Sequence, residues 1–162
     1  MDTSSIKIVG AGLAGCEAAW QLANKGFHVQ LYEMRPIKKT AVHHTENFCE
    51  LVCSNSFRSN DDRKNAVGQL KWELRSAHSL IMKTADKHSV PAGGALAIDR
   101  VKFSSEITKK IKAHPLIEIK HEEVTQLSTE NELTIIATGP LTSNALAKKL
   151  KIITKSENLA FF

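Results

Sequence analysis

Cys53 stands at the edge of a polar stretch, FCELVCSNSFR over residues 48–58, where a packing thiol would sit in an apolar run. Ser54, Asn55 and Ser56 follow it directly, and Arg58 lies five residues on. The reactive form of cysteine is the thiolate, which nearby positive charge and partial exposure favour. Arg58 supplies such charge, as do Arg35, Lys38 and Lys39 in the same connection, and the three polar side chains could hold a ligand or the thiolate itself. On residue chemistry alone Cys53 reads equally as a nucleophile or as a structural cysteine. Cys49 beside Phe48 and Cys16 in a helical stretch read as packing thiols, because a small buried thiol behaves as a hydrophobe.

A second group with chemistry to offer lies near the N-terminus. Gly10, Ala11, Gly12, Leu13, Ala14 and Gly15 spell G-x-G-x-x-G, and Glu33 follows about 20 residues on. Each position has a task in holding a dinucleotide. Gly10 permits the tight turn, Gly12 lets the backbone approach a pyrophosphate, and Gly15 lets a helix pack closely on a strand. The helix N-terminus offers N–H groups to the phosphates, and Glu33 can accept hydrogen bonds from a ribose. The plainer alternative is a structural glycine turn beside a solvated Glu33. The placement between a strand and a helix, with the acidic residue at the end of the next strand, favours the dinucleotide.

The elements that must position these groups alternate between strand and helix. Residues 6–9 form a short apolar run ending on glycine, as buried parallel strands do. Leu13, Ala14, Ala18, Ala19, Leu22 and Ala23 recur at helical spacing, and Gly26 caps that helix at its C-terminus. Val29 and Leu31 mark a second strand that ends near Glu33. No period holds from about 35 to 60, so an irregular, thiol-bearing connection is expected there, of the length that usually carries function. A helix over 67–87 follows, with Leu70, Leu74, Leu80 and Ile81 as its apolar members and a break near 76–78. Pro91, Gly93 and Gly94 predict a tight turn, either plain or one whose bare backbone approaches a planar ring. Asp99 is placed to N-cap a helix over 100–113 that ends at His114-Pro115. Ile117 and Ile119 suggest a strand, ELTIIATGP over 132–140 a buried strand entering a Gly-Pro turn, and 142–150 another helix.

Length and composition set the outer limits. The chain has 162 residues, 42% hydrophobic and 24% charged, which suits a globular protein with a real core. Its 22 Lys+Arg against 17 Asp+Glu give a net charge of +5, which permits a polyanionic partner without requiring one. Three cysteines cannot all pair within one chain and have no framework spacing, so they are read as reduced and the protein as cytoplasmic. Glu17 and Gln21 interrupt the first apolar stretch, no basic region precedes it, and no window reaches the roughly 18 apolar residues of a membrane span. The sequence stops on ENLAFF, which reads as an interrupted domain rather than a finished end.

Thr134-Ile135-Ile136-Ala137-Thr138-Gly139 resembles the strand-plus-ATG signature of two-dinucleotide flavoproteins and favours FAD over NAD. With it, the blocks VGAGLAGCEAAWQLA, LYEMRP, ELVCSNSFRSN, VPAGGALAIDR and IIATGPLTS, in this order and spacing, resemble the folate- and FAD-dependent tRNA (uracil-5-)-methyltransferases of the TrmFO or Gid family. The resemblance runs from about residue 6 to 150. It implies an α/β, Rossmann-like FAD-binding domain spanning 1–162, incomplete at its C-terminus. It also implies a flavoenzyme that takes a methylene group from methylenetetrahydrofolate, reduces it with electrons from NAD(P)H through FAD, and methylates C5 of the T-loop uridine of tRNA. C5 of uracil becomes nucleophilic only after a group adds at C6, and a thiolate is suited to that addition. By resemblance Cys53 is the catalytic cysteine, either attacking uracil or capping a methylene–flavin adduct. Gly10, Ala11, Gly12, Leu13, Ala14, Gly15 and Glu33 are carried over as FAD-binding residues, with Thr138 and Gly139.

Several departures from the family pattern accompany this. Cys16 and Cys49 stand where small non-thiol residues are expected. Family members run much further, and the remainder would carry a second functional cysteine, the main tRNA-binding region and the segment completing the flavin pocket. Weak or absent FAD binding and no methylation are therefore expected of this chain by itself. A related flavin-dependent tRNA-uridine modifier, a simple flavin oxidoreductase and a non-catalytic remnant are the other readings. His43 and His44 read as solvated loop histidines or substrate contacts; no Cys or His at ligand spacing supports a metal site.

Overall fold

A computed structural model describes residues 5–127 and 132–155. ENLAFF lies outside the described residues. The chain forms two compact units, one of residues 1–46 with 114–162 and the other of residues 47–113.

The first unit is built on a parallel sheet. Strand β1 (Ile6–Val9) is followed by helix α1 (Leu13–Asn24) and strand β2 (Val29–Glu33), and the unit resumes with β6 (Ile117–His121) and β7 (Thr134–Ile136). The strand order is β6-β2-β1-β7, with Ile8 paired to Leu31 and to Ile135. Ile8 and Val29 are buried among the apolar residues expected of central parallel strands. The buried residues of α1 are Gly15, Cys16, Ala19 and Ala23, all small, so the helix axis can come close to the sheet. Gly26, at a φ of 88°, follows the last turn, and its N–H donates to the Ala23 carbonyl, closing α1 as the spacing predicts. A short 3-10 turn (Gly139–Leu141) leads into helix α5 (Asn144–Thr154), where the Ser143 hydroxyl caps the Leu146 N–H. Leu146 packs with Val9 and Val124.

One expectation for this unit fails. The strand at 134–136 was predicted to be buried, but β7 ends the sheet among the described residues and Ile135 is 38% exposed. Periodicity could not separate the two cases, since a run of apolar residues suits a central strand and a half-covered one alike.

The second unit carries a three-stranded antiparallel sheet and three helices. Strand β3 (Ser56–Ser59), helices α2 (Ala66–Ser76) and α3 (Leu80–Lys87), strands β4 (Ser89–Val90) and β5 (Ala95–Ile98) and helix α4 (Arg100–Ala113) follow in order. The sheet order is β3-β5-β4, and Phe48, Leu80, Met82, Ile98, Phe103, Ile107 and Ile111 are buried. The helical stretch breaks where expected. His78 adopts a φ of 54°, and the Ser79 hydroxyl accepts from the Met82 N–H to start α3. Asp99 caps α4 as predicted, its Oδ1 accepting the Lys102 N–H at 3.1 Å.

Two details of this unit differ from the sequence reading. The connection over 35–60 is not irregular throughout, because residues 56–59 pair with β5, with an irregularity where Arg58 adopts a φ of 63°. Leu70, expected on the core face of α2, is 54% exposed, and the buried residues there are Gly68 and Lys71. The exposure of Leu70 follows from how α2 packs. A Cβ on Gly68 would lie 1.9 Å from the Asp61 carbonyl oxygen, so the helix meets main chain rather than side chains. Lys71 sits one turn along and donates through Nζ to the Phe57 carbonyl at 2.7 Å and to the Ser59 carbonyl. A hydrophobic period cannot register a face that packs against backbone.

Candidate functional site

The glycine turn lies at the carboxyl ends of β1, β2 and β7. The Gly10 N–H donates to the Tyr32 carbonyl at 2.8 Å, and the Ala137 N–H donates to the Val9 carbonyl at 2.8 Å. The carboxyl ends of β1, β2 and β7 are thus drawn together at the glycine turn. The chain leaves β1 toward β2 on one side while β7 returns on the other, and ligands of open α/β sheets bind in the crevice at such a reversal.

The three glycines serve different ends. Gly10 has a φ of 104°, and a Cβ there would lie 2.7 Å from the Ala137 carbonyl oxygen. A Cβ on Gly15 would fall 1.8 Å from the Gly10 carbonyl oxygen and 3.4 Å from Ala137 Cβ. These two are required by the fold itself. They also tie the G-x-G-x-x-G turn to the ATG segment, which the sequence reading kept as separate motifs. Gly12 is different. It has an ordinary φ of −78° and nothing within 4 Å of the Cβ position, so nothing in the chain itself demands glycine there.

Gly12 is the N-cap of α1 and offers no side-chain cap; the helix has no acidic residue in its first turn. The first intrahelical bond from this end runs from the Cys16 N–H to the Gly12 carbonyl at 3.0 Å. The N–H groups of Leu13, Ala14 and Gly15 therefore precede the helical ladder. Gly12, Leu13 and Ala14 are exposed, while Ala11 and Gly15 are buried. Oriented N–H groups with the positive end of a helix dipole behind them attract an anion. A bare backbone position facing open space at that point is what a diphosphate needs, and the residues present fit a dinucleotide.

Glu33 ends β2 beside this turn and is 6% exposed, not solvated. Its Oε1 accepts the Arg35 main-chain N–H and the Arg35 Nε–H, both at 3.0 Å. Its Oε2 accepts the Ala11 N–H at 3.2 Å and Arg35 Nη2 at 3.3 Å. Burial by itself would raise the carboxyl pKa, but the hydrogen bonds and charge of Arg35 outweigh it and hold Glu33 below the usual carboxylate range. The carboxylate is thus ionised and positioned at the glycine turn. Arg35 also donates through Nη1 to the Thr45 carbonyl at 3.3 Å, and its own carbonyl contacts His121 Nδ1 at 2.6 Å.

Arg35 and Lys38, which share a connection with Cys53, each have a carboxylate partner: the Arg35 guanidinium is bonded to Glu33, and Lys38 pairs with Glu123 at 2.7 Å. The signal for Arg35 was present in the block LYEMRP. Residues two apart in extended chain project to one side, so an arginine two places after a strand-terminal glutamate can reach back to it.

Thr138 and Gly139 lie beyond β7, at the start of the 3-10 turn. The Thr142 hydroxyl donates to the Gly139 carbonyl at 2.8 Å and lies 2.5 Å from the Thr138 hydroxyl, so Thr138 braces its own turn. Gly139 has a φ of 62° and open space at its Cβ position.

Cys53 belongs to the second unit and is exposed, whereas Cys16 and Cys49 are buried, as packing thiols should be. The segment carrying Cys53 is anchored just beyond it. Asn55 Nδ2 donates to the Ile98 carbonyl at 3.1 Å, and the Ile98 N–H donates to the Asn55 carbonyl at 2.9 Å. Ser54 and Ser56 hydroxyls accept the N–H groups of Ser56 and Arg58, each at 3.1 Å, so these side chains shape the loop. Gly93 and Gly94 join β4 to β5 in the same unit, with open space at both Cβ positions. His43 Nδ1 lies 2.6 Å from the Thr40 hydroxyl. Lys71, which fixes the Phe57 and Ser59 carbonyls, was not singled out from the sequence.

Known proteins share this fold. The solved structure of Aquifex aeolicus GidA superposes with a TM-score of 0.62 at 16% identity, over 79% of this chain and 21% of that one, which supports the fold. A methylenetetrahydrofolate–tRNA-(uracil-5-)-methyltransferase TrmFO of Ligilactobacillus salivarius is 58% identical over 99% of this chain. The TrmFO of Rhodobacter capsulatus is 57% identical over 97% of it. These matches cover 36% and 35% of the two relatives, so the chain spans about a third of their length. Residues 5–159 match the family model described as glucose inhibited division protein A, and the chain belongs to that family.

Proposed function

We propose that this chain supplies the FAD-binding part of a folate-dependent tRNA (uracil-5-)-methyltransferase, acting on C5 of the T-loop uridine with NAD(P)H as the reductant. The observation that carries the reading is Gly12. It is a glycine with no conformational or packing need for one, at the uncapped start of α1, in a chain 58% identical to an enzyme named for this reaction. Bound FAD would supply the redox chemistry that turns a folate-borne methylene into a methyl group.

The roles of the chain's own residues follow from their positions. The N–H groups of Gly12, Leu13 and Ala14 receive the diphosphate, and Glu33 receives the ribose. Gly10 and Gly15 keep β1, α1 and the segment of Ala137, Thr138 and Gly139 close enough to form one surface. Cys53 is exposed, as an attacking thiol must be, on a segment fixed by Asn55. A thiolate adding at C6 of uracil makes C5 nucleophilic, and after the new C–C bond forms, loss of the C5 proton to a base with departure of the thiolate from C6 restores the C5–C6 double bond.

The test is transfer of label from methylenetetrahydrofolate to a tRNA transcript, with FAD and NAD(P)H, by a protein of the relatives' length that carries this sequence. Methylated T-loop uridine is expected, and Cys53→Ala should lower turnover by at least about a hundredfold while FAD stays bound. Flavin turnover without methylated uridine would overturn the reading in favour of another flavin enzyme.

A further inference from the structure

Glu33 accepts four hydrogen bonds, which fill the acceptor directions of a carboxylate. A ribose hydroxyl can then be accepted only if one donor yields, and the four are not equal. Oε1 holds two contacts of 3.0 Å, both from Arg35, in a paired arrangement of main-chain N–H and Nε–H. Oε2 holds the two longer ones, 3.2 Å from Ala11 and 3.3 Å from Arg35 Nη2. Ala11 lies inside the glycine turn, so Oε2 is the oxygen on the nucleotide side. We propose that Arg35 is a positioning residue for nucleotide binding. It grips Oε1 through Nε–H and its main-chain N–H, and the long Nη2 contact yields so that Oε2 accepts a ribose hydroxyl.

The inference rests on the dinucleotide reading of the glycine turn and adds a task for a side chain that need not touch the ligand. Several anchors keep Arg35 in place while Nη2 gives way. Its Nη1 donates to the Thr45 carbonyl, its main-chain carbonyl is held by His121, and the residue is 4% exposed. The planar fork matters more than the charge. A lysine retains the positive charge but offers a single rotating ammonium, which cannot hold Oε1 from the Nε position.

The test compares the affinity for ADP with that for 2′,3′-dideoxy-ADP in a protein of the relatives' length carrying this sequence, by titration of wild type and Arg35→Lys. Wild type should prefer ADP by at least about tenfold, the effect of one hydrogen bond to an ionised acceptor. In Arg35→Lys the preference should fall to about twofold or less, with the dideoxy affinity nearly unchanged. A merely structural role would weaken both nucleotides together and leave their ratio intact, and that result would overturn the inference. If wild type binds both equally, Oε2 is not the ribose acceptor and the inference falls while the nucleotide site stands. If wild type binds neither, the dinucleotide reading fails as well. Should Arg35→Lys not fold, wild type alone decides by nuclear magnetic resonance. The Arg35 Nε–H signal should stay protected from exchange after ADP is added, and loss of that protection would show that the grip on Oε1 is released.

Discussion

A methyl group added at Gly12 and one added at Gly15 meet opposite surroundings, although the residues are three apart in one motif. At Gly15 the new carbon would fall 1.8 Å from a backbone oxygen that cannot swing away, so β1 and α1 must separate. Gly15→Ala is expected to lower unfolding free energy by about 3 kcal/mol, measured by urea denaturation. At Gly12 nothing is struck, and an aliphatic side chain should cost no more than about 1 kcal/mol, the preference for glycine over an aliphatic residue at an N-cap. The motif string was legible in the sequence, but it could not say which of its glycines the fold itself requires. That division depends on the positions of Ala137 and the Gly10 carbonyl, which only the folded chain brings near. Glu33 was legible as an acid at a strand end; its engagement by Arg35 was open to reading from their spacing and was missed because charge was assigned to the thiol instead.

Helices α2, α3 and α4 illustrate how elements hold the thiol-bearing segment. Arg75 of α2 binds both oxygens of Asp86 in α3, at 2.8 and 2.7 Å, and Asn60 Oδ1 at 2.9 Å. Lys71 on the same side of α2 fixes the main chain of Phe57 and Ser59. Lys71→Met should leave those carbonyls without a donor and cost about 1–3 kcal/mol in urea denaturation. It should also speed amide exchange over residues 57–60, while Leu70→Ala on the exposed face should do neither. The caps of these helices were legible, because Ser79 and Asp99 act locally through their own side chains. The buried face of α2 was not. Its partners are carbonyl groups some ten residues earlier in the chain, and a pattern of apolar residues carries no trace of them. The burial of β7 was misjudged for a related reason, since exposure of Ile135 depends on what lies beyond the strand rather than on its composition.

At the scale of the whole molecule, each compact unit carries an ionised carboxylate held by cations. Glu33 in the first unit is kept below the usual range by Arg35 despite burial. Glu106 in the second pairs with Lys87 at 2.7 Å and Lys110 at 2.9 Å, and His88 Nε2 lies 2.7 Å from its Oε2. Hydrogen bonds from Lys87 and then Lys110 lower its pKa to about 2. Both groups have folded pKa values below their unfolded ones, so their stabilisation is present above the unfolded value of about 4.5 and is lost as the pH falls through the folded values, about 2 for Glu106. Thermal midpoints should therefore fall steadily across that window. Glu106→Gln should be less stable than wild type at pH 7 and show a flatter decline in acid; an unchanged slope would contradict the assignment. Among the described residues, no helix is long and apolar enough to cross a membrane. Alternation of strands and helices made the α/β class legible from the sequence. Its division into a parallel sheet and an antiparallel one was not, because residues 56–59 and 89–90 are too short and polar to announce strands.

The account turns on the claim that the space before α1 is kept open for a nucleotide diphosphate. Titration of FAD into a protein of the relatives' length carrying this sequence, with and without Gly12→Val, tests it most directly when thermal midpoints are recorded alongside. Wild type should bind FAD, and Gly12→Val should weaken binding by at least about a hundredfold with its midpoint within about 2 °C of wild type. Equal FAD affinity in the two proteins, each folded, would contradict it.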